Sequence, residues 1–305
     1  MSTLRKIVTT AALGLMAVVA LPSVASAIGG TENVAEVDVT RQAEGTAPKD
    51  VWVIYNRAGG QATFRDGPQY PPINNGSLEL STPTATDKVW IFNYEHIGAK
   101  LSDINALSYY TYRTQGSAQQ VASLNLEVDI NGPDVAGGLT TLVFEPVYNT
   151  SEATFGSVVN DVWQRWDGYK NGKAVWWSSE PIEGLPDRNT FVSWSTILNL
   201  HPNATIAGGV GINQGSGNPG LITAVDGFTL GYLSDATEYD FELVSTKPPV
   251  VVATDKEQCK KYGWRDNFPV GTYKNQGHCV SSVVSQGKHA NSRAEDVVEY
   301  FEAIP

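Results

Sequence analysis

The residues with the most chemistry to offer are tryptophans set close together. Trp163-Gln164-Arg165-Trp166 separates two rings by three positions, and Trp176 and Trp177 are adjacent. On a strand both spacings send the two rings to opposite faces, so one ring of each pair is expected off the core. A free indole can lie on the C–H face of a pyranose while Asp, Asn, Gln or Arg side chains bond its hydroxyls. Trp163, Arg165, Trp166, Trp176 and Trp177 are therefore candidate ligand-binding residues, with Asn160, Asp161 and Asp167 as polar neighbours. The competing reading is burial of all four rings, the commoner fate of tryptophan in a large domain.

A second oxygen-rich cluster is Asp129-Ile130-Asn131-Gly132-Pro133-Asp134. Asp129, Asn131 and Asp134 form a candidate calcium set, because calcium takes carboxylate and amide oxygens; the spacing is shorter than an EF-hand loop, and a plain hairpin turn competes. The loop Asn213-Gln214-Gly215-Ser216-Gly217-Asn218-Pro219-Gly220 adds Asn213 and Gln214 as candidate ligand contacts, on glycines suited to positive φ. Asp226 interrupts an apolar run and is expected to bond a neighbouring loop or help hold a metal. The sequence has no HExxH, no Gly-x-Ser-x-Gly elbow and no phosphate-loop lysine, and no motif selects a glycosidase carboxylate pair. No cofactor other than calcium is indicated.

These side chains need strands to place them. Apolar and β-branched runs at 51–55, 77–80, 88–92, 107–112, 121–130, 139–147, 205–212, 221–232 and 239–244 alternate with Gly, Pro and Asn punctuation, the pattern of an all-β chain. Leu124, Leu126, Val128 and Ile130 share one face, and the segment 139–144 is the expected hairpin partner. Ser193 is placed to cap one short helix carrying Trp194, Ile197 and Leu198 on a stripe. A second helix is expected at 292–301, beyond the linker containing Lys247-Pro248-Pro249.

Arg5 and Lys6, an apolar run from Ala11 to Leu21 and the small residues up to Ala27 read as a cleavable secretory signal, too short to span a bilayer. The net charge of −11 includes those two cations, so cleavage after Ala27 takes it to −13. Such a surface disfavours nucleic acid and anionic membranes. Cys259 and Cys279 are the only cysteines and, in an exported chain, are expected to pair. The closed loop of about twenty residues is worth about 3 kcal/mol in the chain-entropy picture. A zinc site with His278 and His289 is the alternative.

Two stretches carry a resemblance. The first runs from Asp87-Lys88-Val89-Trp90-Ile91-Phe92-Asn93-Tyr94-Glu95-His96 through Leu101-Ser102-Asp103-Ile104 and returns at 213–220 and Val225-Asp226. The second joins Cys259-Lys260-Lys261-Tyr262-Gly263-Trp264 to Lys274-Asn275-Gln276-Gly277-His278-Cys279-Val280. Both are similar to uncharacterised secreted bacterial proteins, particularly of actinobacteria, and the likeness implies a jelly-roll-like sandwich with no activity attached.

The expected organisation is a signal peptide at 1–27, a leader at 28–49 that is mobile or docks late as a strand, and a jelly-roll-like β-sandwich with one short helix at 50–245. A Pro-rich linker at 246–253 and a disulfide-closed module at 254–305 follow. The expected function is secreted, non-catalytic binding of extracellular carbohydrate or cell-wall material. A secreted glycan hydrolase and a structural or protein-contact surface component are the alternatives.

Overall fold

The alternation along Leu124–Ile130 is realised as a strand with its apolar side chains on the core and its polar ones outside. It belongs to a two-layered β-sandwich. The structure, a computed structural model, describes residues 27–117, 119–151, 156–233, 235–244, 253, 255–260 and 276–285. The expected helix at 292–301 and the Lys247-Pro248-Pro249 linker lie outside the described residues.

One sheet has eight strands in the order β12 (Val192–Ser193), β11 (Val175–Ser178), β9 (Leu139–Phe144), β8 (Ser123–Asp129), β13 (Thr205–Gln214), β6 (Lys88–Asn93), β3 (Trp52–Arg57) and β2 (Val39–Ala43). β8 and β9 form the expected hairpin, pairing Leu126 with Leu142. The other sheet is built on the long strand β14 (Leu221–Tyr232). One edge of β14 pairs along its length with β7 (Ile104–Gln115), which carries β10 (Trp163–Asp167). Its other edge is shared: β5 (Gly76–Thr82) takes Leu221–Val225 and β15 (Asp235–Phe241) takes Phe228–Tyr232. β4 (Gln61–Asp66) pairs with β5, and β1 (Ala27–Val34) with β15. Between the sheets lies one continuous core that includes Trp52, Ile91, Leu126, Phe144, Trp166, Trp176 and Phe228.

The fork in β14 explains Asp226. Where β5 and β15 part, backbone N–H groups lose their ladder partners, and the wholly buried Asp226 carboxylate accepts from Ile73 at 3.1 Å and Phe241 at 3.2 Å. Burial pushes its pKa up to about 8 against the pull of those N–H groups. The expected loop bond is thus what the residue makes.

The leader range 28–49 contributes β1 and β2, each parallel to its partner and each on a different sheet. Its polar sequence reflects edge strands held by backbone pairing, with Val34 and Ala35 as its buried apolar anchors. β15, which holds the start of the 239–244 run, is not at the edge of its sheet, because β1 covers it. The helix α1 (Trp194–Leu200) starts where expected, with Ser193 Oγ accepting from Thr196 N–H at 3.2 Å. Cys259 and Cys279 are disulfide-bonded, with Cα atoms 5.7 Å apart. Cys279 sits on α2 (Gln276–Ser285), and the disulfide packs with Ala253 in a small cluster separate from the main core.

Candidate functional site: the groove of the eight-stranded sheet

Because side chains alternate along a strand, every core-facing row of the eight-stranded sheet implies an outward row. One such row runs Trp177, Val143, Asn125, Gly211, Phe92 and Val53 across six strands. The next runs Ser123, Asn213, Trp90 and Tyr55, with Glu145 just beyond the end of β9. Together with the 44–48 loop these rows enclose a cavity of about 340 Å³, within the range of small-ligand sites.

At one end, Trp90 lies against Tyr55 with centroids 5.2 Å apart and planes 20° from parallel, and the Lys88 ammonium sits 4.4 Å over the indole. A ring engaged on that scale has little face left for a ligand. Tyr55 is fixed by its hydroxyl donating to Thr46 O at 3.1 Å. Arg57 makes a two-pronged contact with Glu44, whose Oε1 is also 3.8 Å from Lys88 Nζ. Burial lowers the Lys88 pKa, against the pull of Glu44. At the other end Trp177 is half-buried and donates its indole N–H to Glu145 Oε2 at 3.0 Å. Burial raises the Glu145 pKa against that bond.

The middle of the floor is polar. Ser123 Oγ donates to Asn125 Oδ1 at 3.0 Å, and Asn213 Nδ2 donates to Ser123 Oγ at 3.3 Å. Glu127 accepts the Gly209 N–H at 2.6 Å, at a bulge between Ile206 and Val210. Burial pushes its pKa up to about 7, with the Gly209 N–H and the Lys88 charge opposing. A Cβ on Gly208 would lie 2.2 Å from a Glu127 carboxylate oxygen, so glycine there leaves that carboxylate its place.

The candidates from sequence divide three ways. Trp177 and Asn213 face the groove. Trp166, Trp176 and Gln214 are core residues, 1%, 0% and 1% exposed; their polar atoms bond Thr111 Oγ1, Gly168 O and, from Gln214, Leu221 O and Thr82 Oγ1. Trp163 and Arg165 stand on β10 in the opposite sheet, where the Trp163 indole donates to Pro68 O and Arg165 to Ser108 Oγ. The pairs split across two faces as expected, yet only Trp177 reaches the groove. Asp129 accepts its own turn's Asn131 N–H at 3.0 Å, and Asp134 is exposed. Among the described residues no three His, Cys, Asp or Glu side chains gather around a point suited to a metal.

Sequence reading missed Tyr55, Lys88, Trp90, Asn125, Glu127 and Glu145. Their signal was present: Lys88-Val89-Trp90-Ile91-Phe92-Asn93 is apolar on both faces, and a strand of that kind needs cover on its outer side. Glu127 and Glu145 lie on neighbouring strands, with Glu127 opposite Thr141. Four residues of rise put their Cα atoms about 13 Å apart along the strands. Their carboxylates bond in different directions, Glu127 to Gly209 on β13 and Glu145 to Trp177 on β11.

No family model matches the sequence, and no curated protein does. Two solved structures overlap it in part. One is the family 11 carbohydrate-binding module of the cellulosomal cellulase Lic26A-Cel5E of Clostridium thermocellum, at 12% identity and a TM-score of 0.32, covering 59% of this chain and 87% of that one. The other is the family 11 module from Clostridium thermocellum in complex with a β-1,3-1,4-mixed-linked tetrasaccharide, at 12% identity and a TM-score of 0.30, covering 57% and 87%. At these values neither the ligand nor the site of those modules transfers to this chain.

Proposed function

We propose that this chain is an exported binding protein for extracellular carbohydrate, and that it holds its ligand in the groove of the eight-stranded sheet. The observation that supports this reading is the cavity of about 340 Å³ that sets the half-buried Trp177 ring beside the Ser123, Asn125 and Asn213 hydrogen-bonding row. Such a site offers an apolar plate for one face of a sugar and donors and acceptors for its hydroxyls. Export rests on the signal-like residues 1–27 and fits the Cys259–Cys279 disulfide.

The test is retention on a panel of soluble polysaccharides in affinity gels and of insoluble ones in pull-downs. Wild-type protein is expected to be retained, and Trp177→Ala to lose at least about tenfold in affinity, or about 1.4 kcal/mol. Trp163→Ala, on the far sheet, is expected to bind as wild type does. Retention that needs Trp163 and ignores Trp177 moves the site to the other face, and no retention on any glycan ends the reading.

A further inference from the structure

The charges of the groove match in number but are unevenly paired. Three cations and three carboxylates line it: Arg57, Lys88 and Arg188 against Glu44, Glu127 and Glu145. Glu44 is committed to Arg57 through both of its oxygens. Lys88 has one long 3.8 Å contact to the same carboxylate, the face of Trp90 and the more distant charge of Glu127, while more than a quarter of its side chain stays exposed. An ammonium taken this far out of water with so little compensation is costly, and a ligand anion would compensate it.

Neither Glu127 nor Glu145 makes a direct ion pair with Lys88: Glu127 accepts from the Gly209 N–H and Glu145 from the Trp177 indole. Burial displaces both toward their neutral forms. Tyr55 and Tyr94, which also face Glu127, are pushed up by burial and stay neutral, Tyr55 to about 12. Lys88 is thus a cation of the groove whose only direct carboxylate contact is shared with Arg57, on a chain whose net charge is −11.

We infer that the groove takes a carboxylated glycan, a chain containing uronic acid, with the ligand carboxylate accepting from Lys88 Nζ beside Trp90. This rests on the groove being the glycan site, and it names the sugar class that site selects. In that arrangement a neutral Glu127 is a donor to the bound sugar and a charged one repels it. The acidity of the whole protein sharpens the point, because long-range attraction cannot draw a polyanion to such a surface and only a local contact can hold it.

The test uses full-length mature protein in affinity gels at pH 6 containing polygalacturonate, alginate or hyaluronate, each run beside its carboxyl-reduced neutral counterpart. At least one acidic polymer is expected to retain the wild type about tenfold more strongly than its reduced form. Lys88→Gln is expected to abolish that preference, while Lys173→Gln, an exposed lysine outside the groove, keeps it. Equal retention by acidic and reduced forms overturns the inference without the aid of any variant, and so does Lys88→Gln behaving as wild type. Retention by neutral glycans alone refutes the uronate preference and leaves the glycan site standing; retention by none removes both.

Discussion

Glu127 is a carboxylate whose surroundings are set by two glycines and one lysine. Gly209 gives it an N–H, Gly208 gives it room, and Lys88 acts on it across the cavity. Its pKa near 7 in the folded chain lies above the ordinary 4.5, so the folded state binds the proton more tightly than the unfolded one. The associated stability is complete below about pH 4.5 and is lost as pH rises through about 7. Glu127→Gln removes this dependence. Its melting temperature is expected to gain on wild type between pH 5 and pH 8.5, by an amount on the order of 3 kcal/mol in stability; parallel pH profiles by scanning calorimetry would count against the burial described. Gly208→Ala drives a methyl group into the Glu127 carboxylate and is expected to weaken glycan retention while leaving the sheet intact.

Among the elements, β14 asks most of its side chains, because it serves two partners on one edge. Asp226 closes the gap between them, and Asp226→Ala leaves the buried N–H groups of Ile73 and Phe241 without an acceptor. A loss of about 2–4 kcal/mol is expected in urea unfolding, and a loss under about 0.5 kcal/mol would show that water or a neighbour replaces the carboxylate. This fork was not legible in sequence, since Asp226 marks only that something polar is needed, and its partners come from residues 73 and 241. What was legible follows from local rules: the 124–130 alternation, the 139–144 return strand and the Ser193 cap each depend on residues within a few positions. The groove escaped for the opposite reason. Its rows collect one or two residues from each of six strands, and register between distant strands is set by the whole core. Tryptophan spacing correctly sent paired rings to opposite faces, but could not say which face carries a cavity.

At the scale of the molecule, the disulfide cluster and the sandwich core are separate clusters among the described residues. Cys259→Ser with Cys279→Ser is therefore expected to leave glycan retention and the main unfolding transition unchanged, as read by affinity gels and calorimetry; a fall of several degrees in that transition would tie the tail to the sandwich. The N-terminal strands have the reverse character. β1 and β2 are joined by only a few residues, yet one completes the first sheet and the other the second. Trimming the chain back to residue 44 would remove both strands and bare one flank of each layer together. β15 and β3 would then each present an unpaired ladder to which a neighbouring copy could add a strand.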